Sequence, residues 1–547
     1  MISEGYKLFA FLAFRAPMKL AAPVILGFSL AVAACGQHTN PSTGQDNEIV
    51  LRRGIGGEPS SLDPATATDT FSIQVIEDLY EGLTSESSSG EVVPGVASSW
   101  TVDSTGTEYS FNLRPNARWS NGTPVRAQDF VAAWQRVLDP KQGSPFANDL
   151  RLIVGAAAIL SGRSPPSSLG VVAVSDNVLV VKLEQPVPYF PELLSHPATF
   201  PIFSDSIART HDPRKWISNG PYVLSDWQIG TRVELTQNMA YWDLPNVHIH
   251  RVQYQIAPDQ NVQFAAYRAG QLDMTDTVPP NAITSMRNEH PSELVIAPIL
   301  TTAFYAINLT EKPFSGNIKL RKAIAMAIDR QRLVNALALG QVAAYGFVPP
   351  GTWNYQLQHW DWDNLSDADR IAEAKRLYKE AGYSLDVPVH LRLLFNTNPA
   401  IKQTAIMIAA MWKEELGIET EFVGEEFKVF LESRHDKTKW DVARLAWSAD
   451  YNDASSMLDG FRMNSPSNDS DYKNPSYDKL LNEAGNTADP ATRRGLLETA
   501  ERVMLADYPA IPLYFFVSKR LVKPYVVGVM PNPLNRVASK GLTVLPH

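Results

Sequence analysis

Residues 371–423 read IAEAKRLYKEAGYSLDVPVHLRLLFNTNPAIKQTAIMIAAMWKEELGIETEFV. Ile371 to Glu380 and Ile401 to Leu416 repeat their apolar residues at helical spacing, and Gly382 and Gly417 stand where such helices end. A short apolar run of strand length follows each, around Val387–Leu394 and Ile418–Val423. Helix then strand, twice over, predicts a mainly parallel sheet within residues 300–515.

Working outward, Leu320 to Leu339 reads as one helix stopped by Gly340. Nearer the N-terminus, Ile49–Arg53 has strand character and runs into a turn at Gly54–Pro59. Phe71–Leu79 has helical spacing, and Tyr109–Leu113 alternates as a half-buried strand does. Pro124 leads into an amphipathic helix at Phe130–Trp134, and Val171–Leu183 reads as a hairpin turning at Ser175-Asp176-Asn177. There is no internal repeat, which excludes a solenoid or propeller. The class is α/β with mixed sheets.

At 547 residues the chain is too long for one core, since cores rarely grow past ~250–300 residues. A net charge of −9 without a basic stripe argues against nucleic acid as a partner. The one cysteine, Cys35, excludes an intramolecular disulfide, a cysteine-built zinc site and an iron–sulfur cluster. It follows an apolar run, Leu20–Val32, that is too short to span a bilayer comfortably. The small residues of Val32-Ala33-Ala34-Cys35-Gly36 resemble a bacterial lipobox. Residues 1–34 would then be a lipoprotein signal peptide, Cys35 the acylated residue and residues 35–48 a polar tether. Met18-Lys19, just before the run, makes Met18 an alternative start and residues 1–17 an extension. The protein is expected in the periplasm or at the cell surface, held to a membrane through lipidated Cys35.

The search for catalytic groups is unproductive. There is no G-x-S-x-G elbow, no P-loop and no H-E-x-x-H. Gly54-Ile55-Gly56-Gly57 lacks dinucleotide-loop spacing and reads as a strand-ending turn. His248-Ile249-His250 puts two imidazoles on one strand face, but no third ligand stands near in the sequence. Glu425-Glu426 reads as a solvated loop face rather than a glycosidase pair.

Four spaced blocks carry a family resemblance. The first runs from Val93-Pro94-Gly95-Val96-Ala97 through Trp119-Ser120-Asn121-Gly122-Thr123-Pro124 to Ala127-Gln128-Asp129-Phe130. The second includes Pro313-Phe314, Arg321-Lys322-Ala323, Ile328-Asp329-Arg330 and Val348-Pro349-Pro350. The third is Asp441 to Asn452 (DVARLAWSADYN), and the fourth runs from Pro512-Leu513-Tyr514-Phe515-Phe516 to Leu521-Val522-Lys523-Pro524. Together they resemble the extracytoplasmic solute-binding proteins of family 5, the peptide receptors of bacterial ABC importers.

That resemblance implies a two-lobed periplasmic-binding-protein fold with a satellite domain and a ligand cleft between lobes that close about a hinge. Lobe one would comprise residues 49–79, 205–300 and 517–547, the satellite 80–204 and lobe two 301–516, with crossings near 300 and 516. A receptor for varied peptides must bind what all peptides share: backbone amides, an ammonium and a carboxylate. In the family the ammonium belongs to the aspartate of an Ala-Asp-Tyr-Asn loop, here Asp450, which by residue type alone is a turn former. Ala446, Ser448, Tyr451 and Asn452 flank it. Trp447, Phe427 and Leu431 match pocket walls, while Phe304, Phe146 and Phe516 match tyrosines of the member most resembled. By residue type, each of these is equally a core residue. Arg444, Arg434 and His435 match cationic positions that can meet a peptide carboxylate, and the planar fork of Arg suits one. There are departures: a histidine associated with peptide C-termini is Ile401 here, beside Lys402, and two disulfide cysteines correspond to Thr301 and Ser448.

The resemblance implies no enzymatic activity, no cofactor and no metal. Its partners would be an oligopeptide and an ABC permease, and the protein a monomer. A receptor for dipeptides, murein peptides, opines or a metal chelate is the alternative on the same fold. A secreted hydrolase is the alternative from another class.

Overall fold

The computed structural model describes residues 48–203, 216–449 and 451–547. The expectations for Cys35 and for Asp450 fall outside those residues. In a first four-stranded sheet, Val50–Ile55 lies parallel to Arg251–Ile256. Arg251–Ile256 pairs antiparallel with Arg232–Gln237, and that strand with Tyr222–Gln228. A second sheet is antiparallel throughout, in the order Ala97–Val102, Glu108–Leu113, Val178–Lys182, Val171–Ser175. Tyr109, Phe111 and Leu113 alternate into its core, as their period of two requires. Helix Ala127–Leu138 buries Phe130 and Trp134, and the Asp129 carboxylate caps it by accepting Arg126 N–H at 2.8 Å.

The third sheet has six strands: Val342–Ala343, Ala510–Leu521, Leu294–Ile307, Val442–Ser448, His390–Asn396 and Glu419–Glu425. The expectation of a mainly parallel sheet is corrected here. His390–Asn396 runs parallel to both Glu419–Glu425 and Val442–Ser448, but the remaining pairings are antiparallel. The reason is that the chain enters this sheet along Leu294–Ile307 and leaves it along Ala510–Leu521, so the two strands lie side by side in opposite directions and their outer neighbours pair antiparallel with them as well. The two helices of the opening stretch are Asp367–Glu380 and Pro399–Leu416. Asn398 caps the second by accepting Ala400 N–H at 2.9 Å, and Gly417 ends it at φ +73°. Leu320–Leu339 is not one helix but two, Ile318–Met326 and Arg330–Leu337. Asp329 divides them, because its carboxylate accepts Arg332 N–H at 2.8 Å and starts a new N-terminus.

One large core gathers residues from Leu51 to Tyr254 and again from Val522 to Val544; another gathers Ala303 to Tyr514. The ribbon of Leu294–Ile307 with Ala510–Leu521 leads from one core to the other. Its register runs from Leu294↔Leu521 to Pro298↔Val517, breaks, and resumes at Thr302↔Phe515. Pro298 has no N–H to give the ladder. Within the break, Leu300 donates to the Pro533 carbonyl at 2.8 Å and accepts from Ala449 N–H at 2.8 Å.

Candidate functional site

The strand Val442–Ser448 pairs with Leu294–Ile307 from Ile307↔Val442 to Thr301↔Ser448. Thr301 and Ser448 face each other directly, and their hydroxyls are 2.9 Å apart. The positions matched to a disulfide are thus true cross-strand neighbours joined by a hydrogen bond. Arg444 lies opposite Tyr305 and is only 8% exposed. Its Nε has no hydrogen-bond partner, nor does the buried Tyr305 hydroxyl. Burial pushes that hydroxyl's pKa well up, against the opposing charge of Arg444. Asp441, three residues away, is engaged elsewhere: Arg392 holds both its oxygens, at 2.9 and 3.1 Å. Among the described residues no carboxylate lies within ion-pair distance of Arg444. A guanidinium this enclosed, with Nε closed to solvent and unpartnered, gains by meeting an anion.

The loop after this strand is pinned from three directions. The Tyr451 ring stacks on Tyr189 at 4.7 Å, with the two planes nearly parallel. The Asn452 side-chain oxygen accepts Trp353 N–H at 2.8 Å. Asp453 caps helix Ala454–Leu458 and takes both ends of Arg493, at 2.6 and 2.7 Å, in a pair almost closed to solvent. Arg493 also lies 4.9 Å from the Tyr189 ring. Tyr189, Trp353 and Arg493 escaped the sequence reading, and no local pattern marks them. They meet the loop from positions far away in the chain.

The other matched positions divide into open and enclosed. Phe427 and Leu431 share a face of helix Phe427–Ser433 and are 55% and 37% exposed. Ala446 and Ser448 are exposed as well. Trp447 donates to the Ser456 carbonyl at 2.9 Å and covers Gly460, where a Cβ would come within 3.4 Å of the indole. Phe304 is buried against Phe347, 5.0 Å away edge-on. Phe516 is half-buried beside Tyr514 at 5.3 Å, and Phe146 lies tilted against His196 at 4.7 Å. Arg434 and His435 both face Asp469, at 3.6 and 3.5 Å, so that carboxylate already serves them. Ile401 packs on the second large core, at the start of its helix. Among the described residues no group of three or more His, Cys, Asp or Glu is disposed to hold a metal. His250 accepts Ile49 N–H at 2.9 Å through Nδ1, an ordinary structural contact. Among those residues no helix is long and apolar enough to cross a membrane.

Comparison with known proteins agrees with this geometry. The chain is 37% identical over 506 residues to the periplasmic oligopeptide-binding protein OppA of Escherichia coli, covering 91% of this chain and 93% of that one. It superposes on the unliganded open form of the periplasmic murein tripeptide-binding protein MppA with a TM-score of 0.85 at 34% identity, covering 92% and 98% of the two chains. On Haemophilus influenzae OppA in complex with the peptide RPPGFSPFR the TM-score is 0.71 at 32% identity, covering 92% and 100%. Identity is nearly equal in the two superpositions, so this chain's arrangement is the nearer to an unliganded, open one. These neighbours have the two-lobed, cleft-bearing periplasmic-binding-protein fold, and this chain shares it. With residues 91–469 matching the family profile, the chain belongs to the bacterial extracellular solute-binding proteins of family 5.

Proposed function

We propose that this protein is a receptor that captures oligopeptides outside the cytoplasm and passes them to an ABC import permease, hydrolysing nothing itself. The observation that carries the reading is a buried Arg444 with no counterion among the described residues, on the strand that precedes the pinned residues 451–453, in a chain similar over nine-tenths of its length to an oligopeptide-binding protein. In this reading Arg444 takes the C-terminal carboxylate of short peptides and Asp450 takes the ammonium. Ala446 and Ser448 offer strand edge to the peptide backbone, while Phe427, Leu431 and Trp447 offer pocket walls. Lobe one is residues 49–79, 205–300 and 517–547, the satellite 80–204 and lobe two 301–516. The separate cores and the ladder break between Pro298 and Thr302 support hinge crossings near 300 and 516. Cys35 would be acylated and tether a monomeric receptor to a membrane. Cys35→Ser should abolish acyl labelling and leave the folded body intact.

Calorimetry tests the reading. Closure would bury the peptide ammonium, which needs a charge partner. Removing one member of such a pair typically costs about 2–5 kcal/mol. Asp450→Ala with an unmodified peptide, and the native protein with an N-acetylated peptide, should each lose ~30-fold or more in affinity. Combining the two changes should cost less than their sum. Undiminished binding of N-acetylated peptide removes Asp450 from the site. Absence of any peptide among ligands released from natively purified protein, and of any binding to a peptide mixture, overturns the receptor reading itself.

A further inference from the structure

A cavity of about 230 Å³ lies between helix Thr70–Leu79, the ribbon of Thr84–Glu86 with Val92–Pro94, and the C-terminal segment 528–542. None of the positions matched to the peptide site lines it. Its apolar wall includes Phe200, Met530, Val537 and Leu542, and its polar wall has three carboxylates against two cations. Two of the carboxylates are fully engaged. Glu86 accepts from Arg536 at 2.5 Å and from the Ser195 hydroxyl at 2.9 Å. Glu81 accepts from Tyr241 and Trp242, each at 2.6 Å, with Lys540 at 3.4 Å. Lys540 is in turn shared with Asp243 at 3.3 Å.

Glu77 is left over. Arg536 Nε lies 3.1 Å from its Oε1 but off the N–H direction, and that buried oxygen accepts no hydrogen bond. Its side chain is 11% exposed. Burial pushes the Glu77 carboxyl up to about 8, with Arg536 opposing the rise and Glu86, Asp78 and Arg53 acting more weakly. Three carboxyl groups thus share two cations, and Glu77 has only the misaligned Arg536.

We propose that this cavity binds a small primary or secondary amine with a compact apolar body, its ammonium on Glu77 and its body against Phe200, Met530, Val537 and Leu542. The volume has room for on the order of eight waters at ~30 Å³ each, which suits a molecule of similar heavy-atom count. A carboxyl with a pKa of about 8 is mostly protonated at pH 7, and a cation needs the carboxylate. Binding thus releases about one proton to the buffer for each amine bound.

The test is calorimetry on the full chain at pH 7 with 2-phenylethylammonium, 2-phenylethanol and phenylacetate, in phosphate and in Tris. The amine should bind at least tenfold more tightly than the alcohol, with phenylacetate weaker still. Its heat should differ between the buffers by about one proton's ionisation heat. Glu77→Gln keeps the shape, and should weaken the amine tenfold or more and abolish the buffer difference. Val537→Trp fills the cavity and should remove amine binding while peptide binding and the melting transition persist. Saturating tripeptide should not displace the amine. Equal binding of amine and alcohol, unchanged binding in either variant, displacement by peptide, or no amine binding at all (a hydrated cavity only) overturns the proposal.

Discussion

At the scale of single residues, the role proposed for Arg444 predicts that it trades stability for binding. Replacing buried ionic groups by apolar ones of similar volume is often neutral or stabilising by about 1–4 kcal/mol, and Arg444 has no counterion among the described residues. Arg444→Met should therefore hold or raise the melting temperature of the unliganded protein. The same change should weaken a free-acid tripeptide about tenfold or more, and its C-terminal amide much less, since a charged hydrogen bond contributes roughly 1.5–3 kcal/mol. A large fall in melting temperature would instead assign Arg444 a structural partner. Glu192 behaves differently. Burial pushes its carboxyl up to about 7, nearby Asp453 adding to the rise and Arg493 opposing it, and Oε2 has no hydrogen-bond partner. Its native pKa thus exceeds the unfolded value of 4.5, and between the two the native state holds a proton that the unfolded chain has lost. The stability this contributes is complete below about pH 4.5 and is lost as pH rises through about 7, to the extent of ~3 kcal/mol at most. Urea midpoints of Glu192→Gln at pH 5 and pH 8 should lie closer together than those of the native protein.

At the scale of elements, the pairing of Leu294–Ile307 with Val442–Ser448 is ready for a crosslink. Ala449 N–H bonds the Leu300 carbonyl just beyond Thr301 and Ser448, which makes those two a non-hydrogen-bonded pair. Such pairs have Cα atoms ~4.5 Å apart, within the range a disulfide spans. Thr301→Cys with Ser448→Cys, in a Cys35→Ser background, should oxidise spontaneously. Closing a loop of this length should stabilise by up to ~4–5 kcal/mol, read as a rise in melting temperature that a reductant reverses. A melting temperature indifferent to reductant would mean that the strands do not hold this register in solution.

At the scale of the whole molecule, peptide binding should close the lobes about the ribbon where its ladder breaks. This chain resembles an open relative more than a peptide complex, so the radius of gyration from small-angle scattering should fall on adding peptide. At a hundredfold excess over Kd the peptide should also add about 2.7 kcal/mol of stability. A radius of gyration unchanged at saturation would mean that binding occurs without closure.

The sequence by itself determined what depends on short windows. The helices around Ile371–Glu380 and Ile401–Leu416, the hairpin at 175–177 and the alternating strand at Tyr109–Leu113 were legible because periodicity, caps and turn residues act within one or two turns. Family motifs added where to look for the site. Where Asp329 divides one helical pattern in two, the local cap was legible but its weight against the surrounding apolar spacing was not. Only long-range contacts settle that Leu294–Ile307 and Ala510–Leu521 make three of the third sheet's five pairings antiparallel, and that Arg392 rather than Arg444 holds Asp441. They alone place Arg434 and His435 on Asp469, and Tyr189 and Arg493 around the loop next to Asp450. Those contacts join residues distant in the chain, and which of them form is set by burial and charge satisfaction across the folded cores, which no local pattern encodes.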